Sequence, residues 1–402
     1  MEAKNFDLIS DLPGLVKEQI LVHLPIKEAI RTSILSSKWR HTWVSIPELM
    51  IRNEDCLTCS KNEELILSTK FIQFMDWVFQ VHSGSILKFS MCSDHFSSRA
   101  VDRWIQTLSR KQIQQIFIGL DRYKMPSGFF MSHTLTHVYL EKCTVKLPAK
   151  FNGFKMLQEL GLKYCIISEE HFEKLVSSSP FLENLSLELF NDFNMLRICS
   201  RSLRKFDFWG EFNYIHLDTP RLAKVCIRKF IPTYDMRYSS LVNDLECLKD
   251  VEMLDINKHF VMDLAKGGSI NKLPIKFEKL KEIKIEINVE DQKEFALSLD
   301  LFRSAPLLEH VWIKAYSSKT IASIVSASSF SAATRNYLFE YLQTFSIYNL
   351  SASESALSLV QLVLVSAPAL KKVVLGKINS SVFFNKLSEI EKLSKEAQII
   401  LC

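Results

Sequence analysis

Glycine is scarce in this 402-residue chain, with ten in all against twenty-eight phenylalanines. So little glycine argues against long flexible linkers and for a well-filled core. No G-x-x-x-x-G-K-[ST] loop and no G-x-G-x-x-G turn occurs, so two common phosphate-binding signatures are missing. H-E-x-x-H and G-x-S-x-G are missing too, which removes the usual signs of a zinc protease or a serine hydrolase. The ten histidines are dispersed; His133 and His137 stand four apart, but His137 falls on an expected strand, so they do not form a helical metal pair. Nine cysteines, an odd number, run from Cys56 to Cys402 and make no disulfide framework. Cys56-Leu57-Thr58-Cys59 is a lone C-x-x-C without a second pair at metal-finger spacing. No base is placed beside any thiol, as a catalytic cysteine would require. The reading is a protein that is not an enzyme, with no metal and no cofactor.

Charge of one sign is also lacking. Fifty basic residues are interspersed with forty-five acidic ones, for a net +5, so no nucleic-acid footprint is expected. No apolar run approaches the roughly 20 residues of a membrane span. The most apolar stretch, 357–370, is interrupted by Gln361 and Pro368. The opening MEAKNFD is charged and has no apolar core of a signal peptide. The expectation is a soluble protein of the cytoplasm, the nucleus or both.

What is present begins with residues 7–49, DLISDLPGLVKEQILVHLPIKEAIRTSILSSKWRHTWVSIPEL. Asp11 or Ser10 is placed to cap a helix with Pro13 in its first turn, and Leu15, Val16, Gln19, Ile20 and His23 follow at helical spacing. Leu24-Pro25 ends that helix, because a residue before proline is pushed out of the α region. A second short helix fits 27–33. A third fits 35–44, with Trp39 and Trp43 on one face. Leu12, Pro13, Ile20, Leu24, Pro25, Ile26, Ile30 and Ile34 exceed what so small a core needs. A piece of about 40 residues cannot bury that surface alone, so it is a candidate docking module.

The segment closely resembles the F-box of plant F-box proteins, in DLISDLP, the LPIKEA turn and the RTSILSSKWRHTW run. The resemblance implies that Leu12, Pro13, Ile20, Leu24, Pro25 and Ile26 dock a Skp-type adaptor, which bridges to a cullin and a RING protein. One departure is Gly14 in the first helical turn, where glycine costs up to about 1 kcal/mol relative to alanine.

Downstream, the pattern apolar-x-x-apolar-x-apolar recurs twelve times, starting at residues 86, 113, 135, 157, 182, 203, 222, 251, 280, 308, 342 and 370. Most intervals fall in the 20–29 residues typical of leucine-rich repeats. The last three residues of each copy alternate in, out, in, as a short strand does. Helical patterns lie between copies at 169–177, 294–303 and 354–365, each closed by a Ser/Ala-Pro turn ending at Pro180, Pro306 or Pro368. Strand, helix and parallel strand in repetition build a solenoid. Single copies arise by chance in leucine-rich sequence; twelve at bounded spacing do not. The asparagine expected after each strand is mostly missing, and only Asn257 falls near that place. An irregular array follows.

KFIQFMDWVFQVHSGSILKFSM at 70–91 and the S-x-P-preceded strands resemble plant F-box/LRR proteins. FEYLQTF at 339–345, SAPALKKVVL at 366–375 and the closing LSEIEKLSKEAQIIL resemble the FBD domain. The resulting fold class is α/β: an N-terminal three-helix F-box, then an irregular leucine-rich-repeat solenoid with a parallel β-sheet. Its divisions are 1–50 for the F-box, 51–85 for a helical connector, 86–332 for the repeats and 333–402 for an FBD-like region that continues them.

Side chains between the two buried positions of each strand, and at the next outward position after them, face the open side of such an array. Phe117, Tyr139, Trp209, Trp312 and Tyr348 stand there with Asp207, Arg228 and Lys314, and hot spots favour Trp, Tyr and Arg. They are the candidate target-binding residues. The order of modules and the resemblance imply a substrate-recognition subunit of an SCF-type ubiquitin ligase that holds a protein target. A binding scaffold without ubiquitination is the alternative, and a small-molecule-sensing receptor a weaker one.

Overall fold

A computed structural model describes residues 7–51, 64–92, 98–188, 193–231, 245–267, 275–317, 339–350, 353–376 and 381–402. The chain divides into two units, Met1–Phe190 and Asn191–Cys402. The Cys56–Cys59 motif and the proposed boundary at residue 333 lie outside the described residues.

All twelve repeat segments form parallel strands. In the first unit, α1 (Gly14–Leu21), α2 (Ile26–Arg31), β1 (Glu48–Ile51) and α3 (Glu64–Val81) precede β2 (Lys88–Cys92). Then come α4 (Ser98–Arg110), β3 (Gln115–Gly119), β4 (His137–Glu141), β5 (Glu159–Lys163), α5 (Glu169–Ser177) and β6 (Asn184–Glu188). β1 to β6 pair in sequence order, all parallel. The sheet thus starts one strand before the first repeat. β1 is the end of the F-box segment itself, with Glu48 opposite Lys88.

The second unit carries β7 (Phe193–Cys199), β8 (Lys205–Trp209), β9 (Phe212–Asp218), β10 (Lys224–Arg228) and β11 (Met253–Ile256). After α6 (Lys258–Gly267), β12 (Glu282–Ile287), α7 (Gln292–Arg303) and β13 (His310–Ala315) come β14 (Thr344–Tyr348), α8 (Glu354–Ser366) and β15 (Lys372–Leu375). α9 (Ser381–Ser388) and β16 (Gln398–Leu401) complete it. β8 and β10 to β16 form one parallel sheet in chain order. β7 and β9 pair separately as a two-stranded parallel ribbon. The twelve repeats include neither the ribbon nor β16, although both ribbon strands carry the same six-residue pattern, Phe193-x-x-Leu196-x-Ile198 and Phe212-x-x-Ile215-x-Leu217, with all six apolar residues buried.

Alternation along each strand decides which face is core. In β8, Phe206 and Phe208 are fully buried while Lys205, Asp207 and Trp209 point away. Helices cover the buried face where the sequence supplies them: α5, α7 and α8 occupy the expected helical segments, and α5, α7 and α8 are capped by Ser168, Asp291 and Ser353. The Ser/Ala-Pro turns that follow share one device. Ser179, Ser304 and Ser366 each donate a hydroxyl hydrogen bond to the carbonyl four residues back, at 2.8, 2.7 and 2.5 Å. Between β3 and β5 no α-helix forms among the described residues. Four phenylalanines fill the space instead, Phe129 against Phe130 at 5.2 Å and Phe151 against Phe154 at 5.4 Å between ring centroids.

Corners after the strands are tight. Lys142, Tyr164 and Asn349 adopt positive φ immediately after β4, β5 and β14. In the first two cases a buried cysteine follows. Cys143 Sγ donates to the Glu141 carbonyl at 3.3 Å and Cys165 Sγ to the Leu140 carbonyl at 3.2 Å. These thiols sit at the N/C position of L-x-x-L-x-L-x-x-N/C-x-L, counted from Leu135 and Leu157. Cysteine thus takes the place of the asparagine in these two repeats.

Candidate functional site

The N-terminal segment departs from expectation in its local chemistry. Pro13 itself precedes α1 and no side chain caps the helix; Ser10 instead hydrogen-bonds Asp7 and Ser36. The second helix is Ile26–Arg31, continued by a 3-10 turn over Thr32–Ile34. In place of the third helix, the chain makes turns and a 3-10 segment at Thr42–Ser45. Trp39 and Trp43 are both buried, and Trp43 lies 5.3 Å from Trp77 of α3. Gly84 follows α3 closely enough that a Cβ there would stand 2.8 Å from the Ser45 carbonyl oxygen.

The decisive feature is which face of α1 points inward. Lys17 and Leu21 are buried, with the Lys17 ammonium 5.6 Å from the centre of the Trp39 ring. Leu15 is 78% exposed and Val16 and Ile20 also point to solvent. Leu8, Ile9, Ile34 (87% exposed) and Leu35 add to them, giving seven exposed large apolar side chains within residues 8–35. Of the residues expected to dock an adaptor, Pro13 and Ile20 are exposed, and Leu12, Leu24 and Pro25 are half-buried. Ile26 is 1% exposed. It is a core residue, turned inward because it opens α2 beside Ala29, and it leaves the docking set.

The candidate target-binding residues fall into one pair and two trios. In the first unit, Phe117 and Tyr139 are register neighbours, and Tyr139 is next to Gly161. A Cβ on Gly161 would stand 2.4 Å from a Tyr139 ring carbon, so the ring lies over that glycine. The Tyr139 hydroxyl donates to Glu159, which also accepts from Asn184 at 2.8 Å. Burial first, and Glu159 second, push the phenol up to about 12.

In the second unit, Arg228 lies between two carboxylates, 2.7 Å from Asp255 and 3.8 Å from Asp207. Trp209 is its register neighbour on β8 and packs 5.7 Å from Phe230. Cys226 sits in the same cluster; burial, then Asp255 and Asp207, push its thiol well above the ordinary range. Further along, Trp312 and Tyr348 stack at 6.1 Å with planes 11° apart. Lys314 pairs with Glu286 at 2.8 Å. Burial alone would raise the Glu286 carboxyl, but the hydrogen bonds from Lys314 and the Lys258 amide outweigh it and hold it below the usual value. Trp209 and Trp312 are about two-fifths exposed, as ligand-accessible aromatics would be.

Among the described residues, no three His, Cys, Asp or Glu side chains come together as a metal site, and no helix is long and apolar enough to cross a membrane. The arrangement offers exposed anchors on strands and an apolar surplus at the N-terminal segment. It offers surface for binding.

Known proteins share both parts. The F-box domain family matches residues 9–49. The family described as FBD-associated F-box protein At5g56370, LRR repeats, matches residues 101–313. The chain is similar to the F-box/FBD/LRR-repeat protein At1g13570 of Arabidopsis thaliana, 30% identical over 384 residues that cover 92% of this chain and 91% of the relative. It is similar to the putative F-box/FBD/LRR-repeat protein At2g05300 of the same plant, 26% identical over 98% of this chain and 97% of that one. The F-box/LRR-repeat protein At3g59200, also of Arabidopsis thaliana, is 30% identical over 56% of this chain and 46% of its own length.

Proposed function

Because this chain belongs to the plant F-box/FBD/LRR-repeat family, we propose that it is the substrate-recognition subunit of an SCF-type ubiquitin ligase. Members of this family are adaptors and not enzymes. In the proposal the F-box segment docks a Skp-type adaptor, which brings a cullin and a RING protein, and the strand faces hold a protein target in the cytoplasm or nucleus. The chain supplies no chemistry of its own. It raises the local concentration of target lysines near a charged ubiquitin-conjugating enzyme.

The observation that carries the reading is α1, which turns Lys17 inward and Leu15, Val16 and Ile20 outward. A free-standing bundle has no reason to bury a lysine and expose three aliphatic side chains on one short helix. A helix that docks a partner does, because the exposed aliphatics become core in the complex. The target is expected to meet Phe117, Tyr139, Trp209, Trp312 and Tyr348, with Asp207, Arg228 and Lys314 setting orientation.

Reconstitution tests this. Full-length protein mixed with Skp-type adaptor, cullin and RING protein should co-elute as one complex and promote ubiquitin transfer to a captured target. Co-elution without any effect on target lifetime in cells would mark the chain as a scaffold. No co-elution at all would remove the proposal.

A further inference from the structure

The second unit holds a concentration of positive charge that the even mixture of charges in the sequence conceals. Arg201, Arg204, Lys205, Arg221 and Lys224 are all exposed. They occupy the N-terminal ends of two neighbouring strands: Lys205 pairs in register with Lys224, and the Arg204 carbonyl accepts the Ala223 and Lys224 amides at 2.9 and 3.0 Å. Parallel strands stand about 4.8 Å apart, so the five cations share one small area.

None of the five makes an ion pair with a carboxylate among the described residues. Cations elsewhere on the same sheet do. Arg228 is 2.7 Å from Asp255, Lys284 is 3.1 Å from Glu282 and Lys314 is 2.8 Å from Glu286. Leaving like charges adjacent and unneutralised opposes folding, so their retention calls for a partner that supplies the missing anions. The next repeat thins the area out: Lys205 and Lys224 align there with Met253, Arg204 with Glu252 and Arg221 with Asp250, which is already paired with Lys279 at 3.0 Å, while Arg201 aligns with Lys249.

We infer that this rim binds an anionic peptide segment of the target protein, rich in carboxylates or bearing phosphate. The inference rests on the target-binding reading above and adds the chemistry of what is bound. A nucleic acid fits less well. Its backbone needs a long basic track with stacking side chains, whereas this area spans two strands and is bordered by carboxylates.

The test uses the purified full chain and four fluorescent probes: a peptide rich in glutamate, the same peptide with phosphoserine at those positions, a glutamine version, and a short DNA duplex. The glutamate peptide, the phosphoserine peptide or both should bind, more weakly as salt is added, while the glutamine version should not; the tighter of the two identifies the anion. Arg204→Glu with Lys224→Glu should weaken binding roughly tenfold or more. Arg204→Gln with Lys224→Gln should lie between, with unfolding midpoints in both variants no lower than the parent's, as relief of like-charge repulsion requires. Equal binding of all three peptides, tighter binding of the duplex than of either anionic peptide, or full affinity in the charge-reversed variant would overturn the inference. Adaptor capture is measured in parallel. Its loss with peptide binding intact counts against the proposed ligase role and not against this surface.

Discussion

Asn257 and Lys229 close a two-way hydrogen-bonded pair between neighbouring repeats. The Asn257 side-chain oxygen accepts the Lys229 amide at 3.0 Å, and its side-chain nitrogen donates to the Lys229 carbonyl at 2.8 Å. The same oxygen accepts the Phe260 amide at 3.3 Å, at the start of α6. Asn257→Ala removes these three hydrogen bonds, though the Lys229 carbonyl keeps its contact with His259 Nδ1 at 3.0 Å, and should lower stability by about 1–3 kcal/mol. Asn257→Asp keeps the acceptor and should cost less. Chemical denaturation of both variants, with an unchanged slope, checks the order.

Lys229 carries a second commitment. Its ammonium is fully buried 2.7 Å from the equally buried Asp263 carboxylate and 3.6 Å from Glu211. Asp263→Ala strips a buried cation of its closest partner and should destabilise by about 3–5 kcal/mol. Replacing the pair together, Lys229→Met with Asp263→Leu, should cost markedly less than the single change, because no buried ammonium is left without its carboxylate, while Glu211 keeps the Phe230 and Ile231 amides at 2.7 and 2.9 Å. A double-mutant cycle in urea measures the difference.

Cys143 and Cys165 give a dependence on pH. Burial raises both thiols, the first to about 12 and the second to about 11. At pH 8 a thiol reagent should therefore label exposed Cys92, Cys199 and Cys402 and spare these two in the folded protein. The sign for stability follows from the raised values. Unfolded thiols ionise near 8.5, so this contribution is complete below that pH and is lost as pH rises from there through about 11 to 12. Mass spectrometry after timed labelling, and denaturation at pH 8 and pH 10, test the two halves.

Much of this was legible in the sequence, and what was not has definite causes. The L-x-x-L-x-L pattern locates all twelve repeat strands because two buried positions per strand suffice to mark them. β1 fits it too, as Ile46-x-x-Leu49-x-Ile51, but lies inside the F-box segment and is masked by it, while β16, with the short strand QIIL, needs only a neighbouring edge to pair with. Cys143 and Cys165 are readable from the N/C position of the repeat, which takes either asparagine or cysteine. Ile26 shows the opposite limit: an apolar residue beside a proline looks the same whether it faces the core or a partner. The ring of Tyr139 over Gly161 depends on a glycine one repeat later, and the basic rim on two stretches that meet only across a strand pair. Spacing along the chain carries neither relationship.

The inverted polarity of α1 is the claim on which the functional account stands. Binding of a purified Skp-type adaptor to the full-length chain, measured by isothermal titration, tests it. The account predicts a one-to-one complex for the parent protein. Leu15→Asp with Ile20→Asp should weaken it by roughly 100-fold or more, while the unfolding free energy moves by about 0.5 kcal/mol or less. Ile26→Ala, a change in the core, should instead cost about 2–5 kcal/mol of stability. An adaptor that binds the Leu15→Asp, Ile20→Asp protein as tightly as the parent would contradict the account.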